Sequence, residues 1–329
     1  MAPLLPPPAF LKLSAASLSL LAAGALLWWR RRGSPRRPSH RWVASTDFGA
    51  LSREACVAAA VALRCGEAMR ATAGAHATLK DGEGERAGID PVTATDEANE
   101  ALVYRTLRRA FPSHEVIGEE ASAKLGAVPA VPRAVPTWVV DPIDGTQNFV
   151  HALPLSVVSI GLCIGGEPTL GVVYDPYLEE LFVGVVGKGA YLNGRKICPD
   201  RCTTLEKAMV LTDVGYERSA QGVARISAAL AALLNANTFA LRMVGSSVQA
   251  LTWVAAGRAS AFYIGFGKKD CPKPWDWCAA CAIGKACGVT FQRLDSDAPF
   301  DLTSSSCIVA STPQLAATLS ELLRLIVRA

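Results

Sequence analysis

No aspartate or glutamate occurs in the first 46 residues, although Lys12 and six arginines do. The formal charge of +4 on the 329-residue chain therefore misleads. Removing those seven groups from the 33 basic ones leaves 26 against 29 acidic residues, a balance of −3 for residues 47–329. A folded part with no bulk basic signature disfavours nucleic acid as a partner. An internal repeat is also missing. With half of its residues hydrophobic, the chain is neither disordered nor of low complexity, and it is long enough for one large or two modest domains. A second CxxC and a histidine pair are absent too, so Cys278-Ala279-Ala280-Cys281 cannot complete a zinc site. The ten cysteines are scattered, most among small apolar residues, and read as reduced buried thiols instead of a disulfide framework.

The acid-free segment carries a run of seventeen uncharged, mainly Ala and Leu residues from Leu13 to Trp29, followed by Arg30, Arg31 and Arg32. As a helix it would cover roughly 25 Å, near the lower limit for a bilayer span. The first expectation is a membrane anchor, with the paired tryptophans at the interface and the arginines holding the following domain on the cytoplasmic side. The alternatives are a plastid or mitochondrial targeting segment and, since the charge follows the apolar run, less naturally a cleaved signal. Residues 30–46 read as a Pro, Arg and Ser linker, so that 1–46 stand apart from a catalytic domain at 47–329.

Along that domain, a first helix is expected over about 47–71, capped by Thr46 or Asp47, and a second from near Asp96 to just before Pro112. Strands are expected at 114–117, 137–140, 156–164, 169–174 and 180–186, with a hairpin at Asn193-Gly194. The second half alternates: strands at 209–212, 239–244, 260–264, 289–292 and 307–310, and helices at 223–234, 247–256, 276–286 and from Pro313. Layers of helix and sheet follow from that alternation.

The most telling stretch is Asp141-Pro142-Ile143-Asp144-Gly145-Thr146, which sets two carboxylates and a hydroxyl on one turn behind an apolar strand. Pro142 should end the strand ladder at Asp141. Gly145 lets the backbone come close to a ligand, and a helical start at Thr146 offers N–H groups to an anion. Carboxylate and carbonyl oxygens suit Mg²⁺ or Mn²⁺, and paired ions can clamp both oxygens of a phosphoryl displacement. The same residues also make an ordinary capped turn. Asp96, Glu119 with Glu120, and Asp276 stand at further strand ends or helix starts, where each alone would read as a cap.

Gly118-Glu119-Glu120, the hexapeptide 141–146 and Trp275-Asp276, preceded by Asp90-Pro91-Val92-Thr93-Ala94-Thr95-Asp96, together closely resemble the inositol monophosphatase family of metal-dependent phosphatases. The resemblance runs from about residue 50 to the C-terminus. It implies an α+β fold, a layered αβαβα sandwich with a metal-binding α+β half at 47–205 and an α/β half at 206–329. It implies two or three Mg²⁺ per site, with Mn²⁺ as an alternative, lithium sensitivity and a homodimer. By position it makes Glu119, Asp141 and the Ile143 carbonyl ligands of one ion, and Asp141, Asp144 and Asp276 ligands of a second. Gly145 and Thr146 would bind phosphate through backbone N–H groups, while Thr146 and Asp96 orient the attacking water and Glu119 helps take its proton. Glu120 falls behind these ligands. Lys80 sits where the family often carries a lysine, or is a solvated loop residue. Asp144, Asp276 and Ser247 would meet substrate, and Ser247 is equally placed to cap a helix.

Two departures bear on the substrate. Ile264 stands where inositol phosphatases carry a glutamate facing ring hydroxyls, and the loop 265–274 is longer than usual. Cys281 further replaces a usual glycine. The reading is a Mg²⁺-dependent phosphomonoesterase for inositol monophosphate or a related small sugar phosphate. The alternatives are the same fold acting on 3′-phosphoadenosine phosphate, fructose bisphosphate, histidinol phosphate or galactose 1-phosphate, and a catalytically silent, membrane-tethered binding module.

Overall fold

A computed structural model of the chain describes residues 40–80, 90–267 and 271–328. The apolar run at 13–29, the charged loop after Lys80 and the centre of the 265–274 loop lie outside the described residues. Among the described residues no helix is long and apolar enough to cross a membrane.

The first half runs through α1 (Arg41–Ser45), α2 (Ser52–Thr72), β1 (Ala77–Leu79), β2 (Pro91–Thr93), α3 (Ala94–Ala110), β3 (Glu115–Gly118), α4 (Glu119–Leu125), β4 (Thr137–Asp144), α5 (Thr146–Val150), β5 (Val157–Ile164), β6 (Glu167–Asp175), β7 (Glu180–Val185), β8 (Gly189–Leu192) and β9 (Arg195–Ile197). Strands β3 to β9 form a seven-stranded sheet in sequence order. Its pairs are antiparallel except β3 with β4. Side chains alternate across a strand. Trp138 and Val140 therefore pack with α2 and α3 on one face, while Val139 packs with the later helices on the other.

The second half adds β10 (Met209–Thr212), α6 (Ala220–Asn235), β11 (Ala240–Met243), α7 (Ser247–Ala255), β12 (Ala261–Ile264), α8 (Pro274–Cys287), β13 (Thr290–Gln292), β14 (Cys307–Ala310) and α9 (Pro313–Arg328). A five-stranded sheet of order β11–β10–β12–β14–β13 results, with β10 parallel to both of its neighbours. Leu211, Phe262 and Val309 face α7 and α8, whereas Val210, Tyr263 and Ile308 face α6 and α9. Helix pairs and sheets thus alternate in five layers, the αβαβα sandwich expected.

Helix α8 lies unusually close to the seven-stranded sheet because glycines face it. A Cβ on Gly171 would stand 2.0 Å from the Ala279 carbonyl oxygen, and one on Gly161 2.4 Å from the Cys278 Sγ. That closeness matters because α8 carries Asp276. Gly171→Ala is expected to destabilise the protein by roughly 1–3 kcal/mol through overpacking, read as a lowered denaturation midpoint.

Local differences from the sequence reading have physical causes. Strand β4 does not stop at Asp141: it continues through Pro142 to Asp144, which pairs with Val157 across a register shift. A bulge accommodates the proline, whose missing N–H lies where the ladder is already broken. The first helix starts at Ser52 with Leu51 before it, not at a Thr46 or Asp47 cap, because Asp47 Oδ1 is spent on the Gly49 N–H at 2.9 Å in the preceding turn. Residues 41–45, in the stretch read as linker, form α1. Val43 there is wholly buried, and the Trp42 and Phe48 rings meet Tyr191 at 6.3 and 5.6 Å.

Candidate active site

Asp141 and Asp144 end β4, and α8 brings Asp276 to them. One carboxylate oxygen from each lies within 4.8 Å of the others. Each group is aimed by its local fold. Asp141 Oδ1 accepts the Ile143 N–H at 2.9 Å. Asp144 Oδ2 accepts the Val248 N–H at 2.9 Å and the Ser246 hydroxyl. Asp276 Oδ2 accepts the Lys273 N–H at 2.7 Å, closing a capping box at the start of α8. Asp276 is thus the third residue of its helix, not its cap.

Glu119 opens α4 at the end of β3, and its Oε1 accepts from Lys80 Nζ at 2.7 Å. Lys80 is not solvated: it also lies 3.0 Å from Glu120 Oε1 and 3.8 Å from Asp90 Oδ2. Glu120 is buried.

On the other flank, Thr93 caps α3 with a capping box whose third residue is Asp96, so Asp96 reaches back instead of capping. Its Oδ2 accepts the Thr93 N–H at 2.9 Å, and Oδ1 stands 3.5 Å from the Thr146 Oγ1. The Thr146 hydroxyl also donates to the Ile143 carbonyl at 2.9 Å. Gly145 precedes α5 at φ +88°, the left-handed region, and a Cβ there would lie 2.8 Å from the Leu155 carbonyl oxygen. No other residue type fits without strain.

Ser246, not Ser247, caps α7, accepting the Gln249 N–H at 3.3 Å. Ser247 is left to line a cleft of about 360 Å³ together with Asp141, Asp144, Gly145, Thr146 and Ile264. Every predicted site residue except Asp96 therefore borders this cleft, and Asp96 is tied to it through Thr146. Sequence reasoning missed Asp213, whose Oδ1 accepts the Val244 and Gly245 N–H groups at 3.0 and 2.6 Å and so shapes the turn before α7. It also missed Tyr216, which donates to Asp90 Oδ1 at 3.0 Å. Neither carries a local motif.

The electrostatics are those of like charges buried together. Burial pushes the Asp141 carboxyl well above the ordinary range, and Glu119, Asp144 and Asp276 push it further. Asp144 is raised by burial and then by Asp276. Burial lifts Asp96 to about 6 against its Thr93 hydrogen bonds, and lifts Glu120 to about 8 with help from Glu119. Burial alone would lower the Lys80 ammonium, but Glu119, Asp90 and Glu120 drive it above its usual value. A cluster of buried carboxylates is costly unless cations compensate it. Its all-oxygen donor set fits hard divalent metals. Divalent cations, a phosphate and a positioned water are what this arrangement can serve.

The comparisons with known proteins agree. A profile described as "Inositol monophosphatase family" matches residues 51–328. Inositol monophosphatase 1 of Solanum lycopersicum is 43% identical over 279 residues, 84% of this chain and 97% of the relative. Inositol monophosphatase 2 of Homo sapiens is 38% identical over 276 residues, covering 83% and 92%. Among solved structures, an inositol monophosphatase from Anabaena superposes with a TM-score of 0.69 at 28% identity, covering 84% of this chain and 97% of that one. Metal dependence is typical of such proteins, and the acidic cluster accords with it. The profile match, the relatives and the site converge: this chain belongs to the inositol monophosphatase family and is a phosphoric monoester hydrolase.

Proposed function

We propose that this phosphatase depends on Mg²⁺ and releases phosphate from inositol monophosphate or a related small sugar phosphate. The observation that carries the reading is the convergence of Asp141, Asp144 and Asp276, from two distant stretches of chain, at one cleft. Glu119, Asp141 and the Ile143 carbonyl would hold one ion, and Asp141, Asp144 and Asp276 a second. When bound, such ions acidify water and neutralise a departing alkoxide. The chain's own groups do the positioning. Gly145 and Thr146 present N–H groups to the phosphate. Thr146 and Asp96 aim the attacking water, Glu119 helps to take its proton, and Ser247 meets the leaving group. The full chain in mild detergent is expected to release phosphate from inositol monophosphate with Mg²⁺, to be inhibited by Li⁺, and to lose the activity in Asp144→Asn. Unaltered turnover in that variant would refute the site.

Ile264 in the cleft wall favours a second reading, the same chemistry on one of the other phosphate esters named above. Beyond the site, we propose from the apolar run and flanking arginines that the N-terminal segment 1–46 anchors a cytoplasmic domain at a membrane, with plastid or mitochondrial targeting as the alternative. Retention of the full chain in the carbonate-resistant pellet tests this, and release sinks it. A homodimer is proposed from the family and is read by light scattering.

A further inference from the structure

In an open sheet of parallel strands, ligands sit outside the strands' carboxyl ends. Parallel β10, β11 and β12 place four apolar or aromatic residues at that end. Met243 is the last residue of β11 and pairs with Thr212, the last of β10. Val214 and Tyr216 stand two and four residues past the end of β10, and Ile264 is the last residue of β12. All four line the cleft that holds the carboxylates. Met243 is 55% exposed and Val214 38%, while Tyr216 is half-buried and Ile264, at 6%, is a buried wall behind them; two exposed large apolar side chains at one cleft point to a binding surface. Tyr216 does not offer its hydroxyl as an unoccupied donor: Oη donates to Asp90 Oδ1 at 3.0 Å. Asp90 is in turn fixed by its carbonyl, which accepts the Lys80 N–H at 2.8 Å where the β1–β2 ribbon closes. The Tyr216 ring is therefore tethered from its far end.

We propose that Val214, Tyr216, Met243 and Ile264 form an apolar platform for the ring of the departing alcohol, making them specificity-determining residues that select phosphate monoesters of ring alcohols over open-chain ones. The inference rests on the phosphatase reading above and deepens it. A ring offers a rigid C–H face that covers such a surface on binding. An open-chain polyol presents hydroxyls on every side and must freeze its rotors, so it gains less and loses more entropy. Ile264 offers ring hydroxyls no hydrogen-bond partner in the cleft wall, so contact with the ring's face outweighs contact with its edge there.

The test compares myo-inositol 1-phosphate with glycerol 2-phosphate at fixed Mg²⁺ and pH on the full chain. The unaltered protein is expected to favour the ring substrate in kcat/KM by about tenfold, carried by KM. Met243→Ser, at a half-exposed position where folding is not at stake, is expected to erase most of that ratio by raising KM for the ring substrate with kcat little changed. Tyr216→Phe keeps the ring and removes its tether, and a smaller fall, about threefold, is expected. A ratio near one in the unaltered protein, or an unchanged ratio in Met243→Ser, overturns the platform while leaving the phosphatase reading intact. Equal losses on both substrates in both variants also overturn it. Hydrolysis of neither substrate by the unaltered protein overturns the substrate reading itself, and the platform with it.

Discussion

Replacing Asp141 by asparagine is expected to cost about a thousandfold in turnover and yet raise the thermal midpoint of the metal-free protein. Both effects come from one carboxylate. Asp141 is 2% exposed, and its charge is opposed by burial and by Glu119, Asp144 and Asp276. Without metal, a neutral amide relieves that opposition. The amide oxygen of the replacement can still accept the Ile143 N–H that Asp141 accepts at 2.9 Å, and its new N–H groups face the neighbouring carboxylates. With metal, the same change removes a charge from the donor set that both proposed ions share. Calorimetry in EDTA and initial rates in Mg²⁺ on the same preparation check the pair. A variant that loses activity and also melts lower in EDTA would show Asp141 to be mainly a packing residue, against the metal reading.

Such a dual expectation cannot be read from the hexapeptide alone, because the opposing charges arrive from distant segments. Turn chemistry is local, so Asp141 to Thr146 and the glycine at 145 were legible from residue type and order. The bulge that carries β4 through Pro142 was not, because it depends on Val157 pairing with Asp144 from a neighbouring strand. Helix N-caps lie one to five positions from the residues that look like caps, for the same reason. Asp96 and Asp276 look like caps in sequence, but their backbones start one turn earlier, at Thr93 and Lys273. Lys80 could not be told from a loop lysine because its partner Glu119 is 39 residues away. Tyr216 and Asp90 are 126 apart, and nothing local to either announces the bond. That helices and sheets form layers was legible because alternation of short strands and helices survives without knowing which face each buries; the five-layer order was legible only through the family resemblance. The docking of α1 was not, since Pro, Arg and Ser around it obscure the buried Val43.

Metal-free protein is further expected to lose stability as pH rises from about 5 to 8, and Mg²⁺ is expected to restore more of it at pH 8 than at pH 6. The sign follows from which state holds the protons. Asp141 is raised by burial and then by Glu119, Asp144 and Asp276, Asp144 by burial and then by Asp276, Asp96 to about 6, Asp175 to about 6 through burial and Glu120 to about 8. In the unfolded chain all of them titrate near 4. Between those limits the folded state binds more protons than the unfolded one, so stability present below pH 4 drains away as pH climbs through the folded values. Asp295, lowered to about 2 by Arg293, acts oppositely, but its gain is complete by about pH 4. Divalent cations bind the deprotonated cluster, so their stabilisation grows where the protons have left. At a hundred times the dissociation constant the gain is about 2.7 kcal/mol. Melting midpoints in EDTA and in Mg²⁺ at pH 6 and pH 8 give the answer directly. A metal-free midpoint that rises over this interval, or a Mg²⁺ shift equal at both pH values, would mean that these carboxylates are not a cation site and that their burial is compensated by other means.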